Sequence, residues 1–570
     1  FEKDIGKSKL MHAASTMTFA EFSLKEVLKR DYNSPAIFMI SIGNEIMEGT
    51  DWSSLGKYPD LANKLIKWVR EIDPYRLLTI GDNIIRYDYI DELLEIDNRI
   101  NEAFGMVGLN YTEDKRYDKI HKDHPDWVLW ASETASNINS RSVYDRFRLD
   151  YLPSDRKLSS YDISKVAWGS LAIDAWYDII TRDFVVGEAI WTGFDYLGEP
   201  TPYNGIDRGP IHGWPAPRSS YFGIIDLAGF PKDSYYLYRS LWNDKDVTCH
   251  LLPSWNEDEV VINDGKVKVV CYTNASSVEL VHIDTYGKIK SYGKKHFIDH
   301  TTKAGHKYRT ANSTNPSNCL YFEWEIPFDK GSIKAIAYDD KGRVITDTIG
   351  LSTLNTNNKP CKLRAKTNKT QIYNDSYDLA YVTIDIVDDN DNLITNAENL
   401  IDVKVSENGN LLALDNGFQE DMDSFKVCQK KAFGGKLLAI ISGKSGLEPI
   451  EIKITSPGLE ETKLTLNLIE SPNTFNTREE TSPRKKNPDI IYEKALSILS
   501  YSTLTFPNIY PKLPAKLELI DKKGKLTGNY INISWDEIDK DEIKEEGRIL
   551  ILGYGELGGK KLEANAFIRV

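Results

Sequence analysis

The sequence predicts a multidomain chain that opens with the alternating strands and helices of a βα barrel and continues in β-sandwiches. Two observations predict the barrel and a third the sandwiches. The run at 36–45, AIFMISIGNE, is too short for a helix, rich in Ile and Phe, and closes on Gly43, Asn44 and Glu45, which is the pattern of a strand buried on both faces in a parallel sheet. The run at 127–134, WVLWASET, repeats the design with Glu133 at its end. After Trp242, short strand-like runs alternate with turns rich in Asn, Gly and Asp, the mark of a β-sandwich.

Taken in order, residues 22–30 carry Phe22, Val27 and Leu28 among charges and predict a helix, ended by the breaker Asn33-Ser34-Pro35. The strand at 36–45 follows. Leu61, Leu65, Val69 and Ile72 recur at helical spacing until Asp73-Pro74 stops them, and the next apolar run is 77–80. A short helix is expected at 90–96, a strand at 106–111, and the second acidic strand at 127–133. Trp168, Leu171, Ala172, Ala175, Trp176 and Ile179 predict an amphipathic helix, followed by an apolar run at 184–191 and a last helix at 234–242. That makes five strands. His121 and His124 have metal-like spacing but sit in the charged segment KIHKDHPDW without a third ligand nearby, and read as a surface loop.

Glu45 and Glu133 finish two strands separated by about three βα units, so both project into the same mouth of a barrel, where such folds carry chemistry. One acidic residue after one strand would merely open a loop; the second strand of the same design changes the reading. A carboxylate pair there suits glycoside hydrolysis. One carboxyl held protonated gives a proton to the leaving oxygen, and one held ionised meets the positive charge developing at the anomeric carbon. Two like charges at close range push their pKa values apart, which supplies both states near neutral pH. Aromatic usage agrees with a sugar site, since nine of twelve tryptophans precede residue 243 and sugars stack their C–H faces on such rings. Trp68, Trp168 and Trp176 lie on helix patterns and are assigned to packing. Trp191 differs, because it ends a strand and leads into Asp195, Tyr196 and Glu199.

Four ordered segments carry a family resemblance: SIGNEI at 41–46, SETASNINSR at 132–141, GEAIWTGFDYLGEPTPY at 187–203 and RSSYFGIIDLAGFPKD at 218–233. With them the sequence resembles the family 2 glycoside hydrolases, and among these the multidomain bacterial β-galactosidases. The resemblance implies a retaining mechanism with Glu45 as acid/base and Glu133 as nucleophile, Asn44 beside the sugar 2-hydroxyl, Trp191 beside the sugar and Tyr111 close to the nucleophile. Asp195, Glu199 and Arg218 are either sugar contacts or members of a structural ion network. Similar members often have glycine after the arginine of the nucleophile segment, whereas this chain has Ser142, which puts the local turn in question. In the family the acid/base follows the fourth barrel strand and the nucleophile the seventh. The expectation is therefore a partial (β/α)8 TIM barrel, about strands 4 to 8, completed by a missing N-terminal part of the same enzyme that carries a sugar-binding β-domain, a linking sandwich and the first three strands. Mg²⁺ or Na⁺ can bind near the acid/base in this family, partly through upstream residues; from the residues present, no cofactor and no metal site is expected.

A formal charge of −14 and a pI near 5.3, without a long basic run, argue against nucleic acid or an anionic membrane as partner. A neutral carbohydrate substrate fits better. Five scattered cysteines give neither a zinc site nor a disulfide framework and read as buried or inert thiols. No apolar run reaches the ~18 residues of a membrane span. The expected location is secreted or cell-surface, with the cytoplasm as the alternative, and an oligomer is left open. The expected domains are the barrel part at 1–243, a β-sandwich at 244–355, an immunoglobulin-like sandwich at 356–470, a polar linker at 471–488, and at 489–570 a module that by resemblance is bacterial and immunoglobulin-like. Strands are expected at 260–262, 266–272, 277–284, 321–326 and 332–338, then at 380–387, 400–405, 436–441 and 450–455. The run Asp388-Asp389-Asn390-Asp391-Asn392 reads as a hairpin tip, lacking the glycine and distal glutamate of a calcium loop. The sandwiches are expected to hold the barrel or bind glycan without supplying a catalytic acid. Against the galactosidase stand another family 2 specificity, β-glucuronidase or β-mannosidase, a catalytically silent carbohydrate-binding surface protein, and a structural adhesin.

Overall fold

Five parallel strands, β1 (Met39–Asn44), β2 (Leu77–Asp82), β3 (Gly105–Asn110), β4 (Leu129–Ala135) and β5 (Val185–Trp191), lie side by side in chain order in the computed structural model. The structure describes residues 18–47, 52–146, 155–199, 217–311, 320–444, 446–472 and, with short gaps, 495–569. Helices α1 (Phe19–Asp31), α2 (Tyr58–Ile72), α3 (Asp91–Glu102), α4 (Lys115–Asp123), α5 (Ala172–Ile180) and α6 (Asp233–Trp242) alternate with or follow the strands. Parallel neighbours require such crossovers. Val69, Leu93, Ile96 and Ile100 of α2 and α3 pack on Leu78 and Ile80, and Tyr117, Ile120 and Ile179 of α4 and α5 pack on Val107, Leu109, Leu129 and Ala131. Among the described residues β1 and β5 are open edges, and they leave Phe38 and Val186 67% and 65% exposed. The run at 36–45 is therefore a half-buried edge strand, not one buried on both faces.

Several local expectations change. Helix α3 continues past residue 96 because Ile100 repeats the buried face one turn on. Helix α5 begins only at Ala172: the carboxylate of Asp162 accepts from the Ala172 and Ile173 amides at 3.1 and 2.9 Å and caps it from outside. Trp168 thus precedes the helix and packs under the mouth beside Val166 and Tyr221. His121 lies on α4 and stacks on Phe184, while His124 caps that helix and stacks on Trp127. They are packing residues of a helix, not of a loop, since Tyr117 and Ile120 give the segment a buried face.

Beyond α6, strands Val247–Leu252, Lys266–Thr273, Phe322–Pro327 and Thr348–Ile349 form one sheet, and Ser277–Asp284, Ile289–His296, Gly331–Tyr338, Val344–Ile345 and Thr353–Asn355 another. Their core includes Val267, Val269, Leu280, Phe322 and Ile333, and runs on into Leu237 and Tyr238 of α6. Residues 260–262 make no strand; the chain turns there through Asp264 and Gly265, both at positive φ, and Asn263 bridges Lys266. Two further sheets follow: Lys362–Thr367, Leu379–Val387, Lys436–Gly443 and Gly409–Asp415 in one, and Gln371–Tyr373, Thr462–Ile469, Ile450–Thr455, Leu400–Val405 and Gln429–Lys431 in the other. Ile384, Ile401, Ile441, Ile452 and Leu466 fill the space between them. Asp388 is buried at the tip after Leu379–Val387, accepting from the Asn390 and Asn392 amides.

Residues 1–475 and 476–570 are separate compact units. The second contains a sheet of Ala495–Ile498, Lys516–Asp521 and Leu526–Asn532 and another of Tyr501–Leu504, Lys560–Arg569, Arg548–Leu557 and Ser534–Trp535. The expected linker lies almost wholly outside the described residues. Cys249 and Cys271 are buried, Cys361 is half-buried and Cys428 is exposed; Cys319 lies outside the described residues. No helix among the described residues is long and apolar enough to cross a membrane.

Candidate active site

Side chains at or near the carboxyl ends of strands β1, β3 and β4 meet. Asn44 closes β1, and Glu45 follows it at φ 45°, its amide held by the Gly81 carbonyl at 2.9 Å. A Cβ on Gly81 would come within 2.3 Å of Asn44 Oδ1 and 2.9 Å of Asn110 Oδ1. The missing side chain at the end of β2 is what lets these two amides approach.

Asn110, fully buried at the end of β3, is the hub. Its Nδ2 donates to Asn44 Oδ1 at 2.9 Å and to Glu45 Oε1 at 3.0 Å, and lies 3.4 Å from Glu133 Oε2; its Oδ1 accepts from the Ser132 hydroxyl at 2.5 Å. Next to it, Tyr111 sits at φ 54° with its amide on the Glu133 carbonyl at 2.7 Å. The Tyr111 hydroxyl accepts from Ser136 Oγ at 3.0 Å and donates to Glu133 Oε1. Burial, then the charge of Glu133, hold the Tyr111 phenol well above its ordinary range, so it remains a donor. Behind it, the Arg86 guanidinium lies 5.4 Å from the Tyr111 ring and donates to the Trp168 carbonyl at 2.8 Å.

Of the expected site residues, Asn44, Glu45, Tyr111 and Glu133 come together. Trp191 and Glu199 form a second group: Trp191 Nε1 donates to the Tyr196 hydroxyl at 3.1 Å, which donates to Glu199 Oε2 at 2.8 Å. Tyr196 is near enough to feel the charge of Glu133. Asp195 and Arg218 belong to the structural alternative. Asp195 is enclosed, paired with Lys232 at 2.8 Å and accepting from the Gly223 amide and from Gln419 Nε2. Arg218 donates to the carbonyls of Asp421 and Asp423 and stacks 3.9 Å from the Phe425 ring centre. Each is held by partners of its own, Asp195 by a buried lysine and Arg218 by carbonyls and a ring of the neighbouring β region. Sequence reasoning missed Asn110 and Ser132, although MVGLN closes on a polar residue just as SIGN does.

The described residues bring no three His, Cys, Asp or Glu side chains together to hold a metal ion.

Fold and site together define a protein of the βα-barrel class, with a carboxylate pair at the carboxyl ends of parallel strands. Residues 13–211 match the glycosyl hydrolases family 2 TIM barrel domain, 363–465 match the glycoside hydrolase family 2 C-terminal domain 5, and 264–346 match a domain of unknown function. The β-galactosidase BoGH2A of Bacteroides ovatus is 31% identical over 497 residues, 79% of this chain and 52% of that protein. A Formosa agariphila protein provisionally named a β-glucuronidase is 25% identical over 471 residues, 78% of this chain and 40% of its own length. Among solved structures, a β-glycosidase from Bacteroides vulgatus superposes with a TM-score of 0.61 at 25% identity, over 78% of this chain and 53% of that one. The chain belongs to glycoside hydrolase family 2. It spans about half the length of the first of these relatives.

Proposed function

We propose that the chain carries the reacting carboxylates of a retaining exo-glycosidase acting on terminal non-reducing β-D-galactosides. Glu133 attacks the anomeric carbon while Glu45 gives its proton to the departing glycosidic oxygen; in the second displacement Glu45 takes a proton from the water that frees the sugar from Glu133. One observation carries the reading. A single nitrogen, Asn110 Nδ2, lies 3.0 Å from Glu45 Oε1 and 3.4 Å from Glu133 Oε2, so the two oxygens can be no farther apart than those distances together. That bound admits the ~5 to 5.5 Å of a retaining pair and lies at the short limit of the ~6.5 to 9.5 Å an inverting pair leaves for water, which supports the retaining reading. In this reading Asn44 faces the sugar 2-hydroxyl, and Trp191 with Glu199 forms the wall opposite.

The open edges at β1 and β5 support taking the five strands as strands 4 to 8 of an eight-stranded barrel, closed by three more. The sheets that follow support immunoglobulin-like sandwiches at 244–355, 356–470 and 489–570. A β-galactoside is favoured by the name of the 31% identical relative. The β-glucuronidase reading draws on the Formosa name, but Arg218, a candidate clamp for a substrate carboxylate, is already committed to carbonyls at 421 and 423. Turnover of nitrophenyl β-galactoside beside the glucuronide and the mannoside tests the specificity. Faster hydrolysis of the glucuronide would overturn it. Glu133→Gln should abolish formation of a glycosyl-enzyme, and Glu45→Gln should slow substrates with poor leaving groups most.

A further inference from the structure

We infer that Gln419, in the loop after strand Gly409–Asp415, is a positioning residue for the proposed reaction, fixing the chain behind Glu133 to the chain behind Trp191 through one buried amide. The inference rests on the reading of Glu45 and Glu133 as the reacting pair. Gln419 is wholly enclosed. Its Nε2 donates to Asp195 Oδ2 at 3.0 Å and to the Asn139 carbonyl at 3.4 Å, and its Oε1 accepts from the Ser140 hydroxyl at 3.3 Å. Its own carbonyl accepts from the Arg218 and Ser219 amides at 3.0 and 3.2 Å.

Each end of that amide leads to the site. Asn139 and Ser140 continue the segment that leaves β4, in which the Ser136 hydroxyl donates to Tyr111 and Tyr111 donates to Glu133. Asp195 continues the segment that leaves β5. There the Ser220 hydroxyl accepts from the Tyr196 amide at 3.1 Å and lies 3.4 Å from Asp195 Oδ1, and the Tyr196 ring packs on Trp191 with centroids 5.6 Å apart.

The loop is seated for this task. Gly417 adopts φ +75°, and a Cβ there would fall 2.1 Å from Asp226 Oδ2, so only glycine permits the approach. Asp226 is buried and pairs with Arg141 at 2.8 Å. The Arg141 guanidinium also reaches the Asn416 and Phe433 carbonyls, both at 2.9 Å, and lies between the Phe230 and Phe433 rings. A β region matched to the family's C-terminal domain 5 therefore supplies no reacting group but sets where the reacting groups stand. A displacement of about 1 Å at such a site costs about 10²-fold in rate.

The test uses the full-length protein. In Gln419→Glu, which keeps the shape but loses the donor facing Asp195, and in Gln419→Ala, kcat on a nitrophenyl glycoside should fall about 10- to 100-fold with KM changing less than about threefold. Rates are expressed per active site titrated with a 2-deoxy-2-fluoro glycoside, so that loss of folded protein does not count. Met422→Ala, exposed on the same loop, should match the parent. A kcat per titrated site within about twofold of the parent in both Gln419 variants overturns the inference. Should the variants fail to fold, hydrogen exchange in the parent decides: amides at 418–420, 139–141 and 195–196 should open as one unit. Exchange at 418–420 far faster than at 139–141 overturns it. A parent that turns over no glycoside refutes the functional reading instead, and the exchange result still decides whether Gln419 couples the two segments.

Discussion

Asn110 donates to Glu45 at 3.0 Å from a position 65 residues further along the chain. The two side chains meet only because β1 and β3 end on either side of Gly81, whose lack of a Cβ leaves the space. The same nitrogen touches Asn44 and Glu133, so its loss frees several groups of the proposed site at once. Asn110→Ala should lower kcat by about 10²-fold. Asn110→Asp, which sets a third carboxyl against two, should be worse than alanine at pH 7 and recover as the pH falls. A kcat for Asn110→Ala equal to the parent's would remove the residue from the mechanism.

Tyr111 presents a hydroxyl to Glu133 that burial and the neighbouring charge keep protonated. In the proposed reaction it serves as a fixed donor that orients the carboxylate on the anomeric carbon. Tyr111→Phe should lower kcat by about 10- to 100-fold and leave the alkaline limb of the pH–rate profile where it was, because the phenol does not titrate there. A pH profile from 5 to 10 for both proteins checks this; loss of the alkaline limb in the variant would mean that the phenol ionises during turnover.

The sequence carried the strands of the first region because each is a short apolar run, and carried Glu45 and Glu133 because each closes one. Asn110 was hidden by the same rule: its amide looks like any polar residue after a strand, and its partners lie on β1 and β4. The start of α5 was misplaced because its cap, Asp162, stands outside the helix. Helix α4 was lost because charges surround its two buried residues, Tyr117 and Ile120. Gln419 was beyond reach altogether, since its bond to Asn139 spans 280 positions and no periodicity records such a contact. For Asp195 and Arg218 residue type left a sugar contact and an ion network equally open, because only the fold brings up the partners each one meets.

Ser142 takes φ +62° directly after Arg141, the left-handed conformation that glycine adopts without a Cβ penalty. The departure from glycine thus preserves the turn and stores strain in it. Ser142→Gly should stabilise the fold by roughly 1 kcal/mol. Ser142→Ala keeps the Cβ and should bring no gain. Denaturant melts of the three proteins distinguish the cases, and equal midpoints for glycine and alanine would place the strain elsewhere.

On β5, Glu188 Oε2 accepts from the Thr134 hydroxyl at 2.8 Å. Burial pushes its carboxyl up from 4.5 to about 8, with only Thr134 and Trp242 pulling the other way. Between these values the folded protein holds a proton that the unfolded chain gives up. The proton's contribution is therefore complete below about pH 4.5 and is lost as the pH rises through 8, at up to about 1.4 kcal/mol per pH unit, and the curve flattens above that. Glu188→Gln removes the charge that alkaline solution would force into this site. Its melting temperature should fall less than the parent's between pH 5 and 9, and at pH 9 the variant should be the more stable protein. Parallel melting curves for the two proteins across that range would show that Glu188 is ionised in the fold throughout.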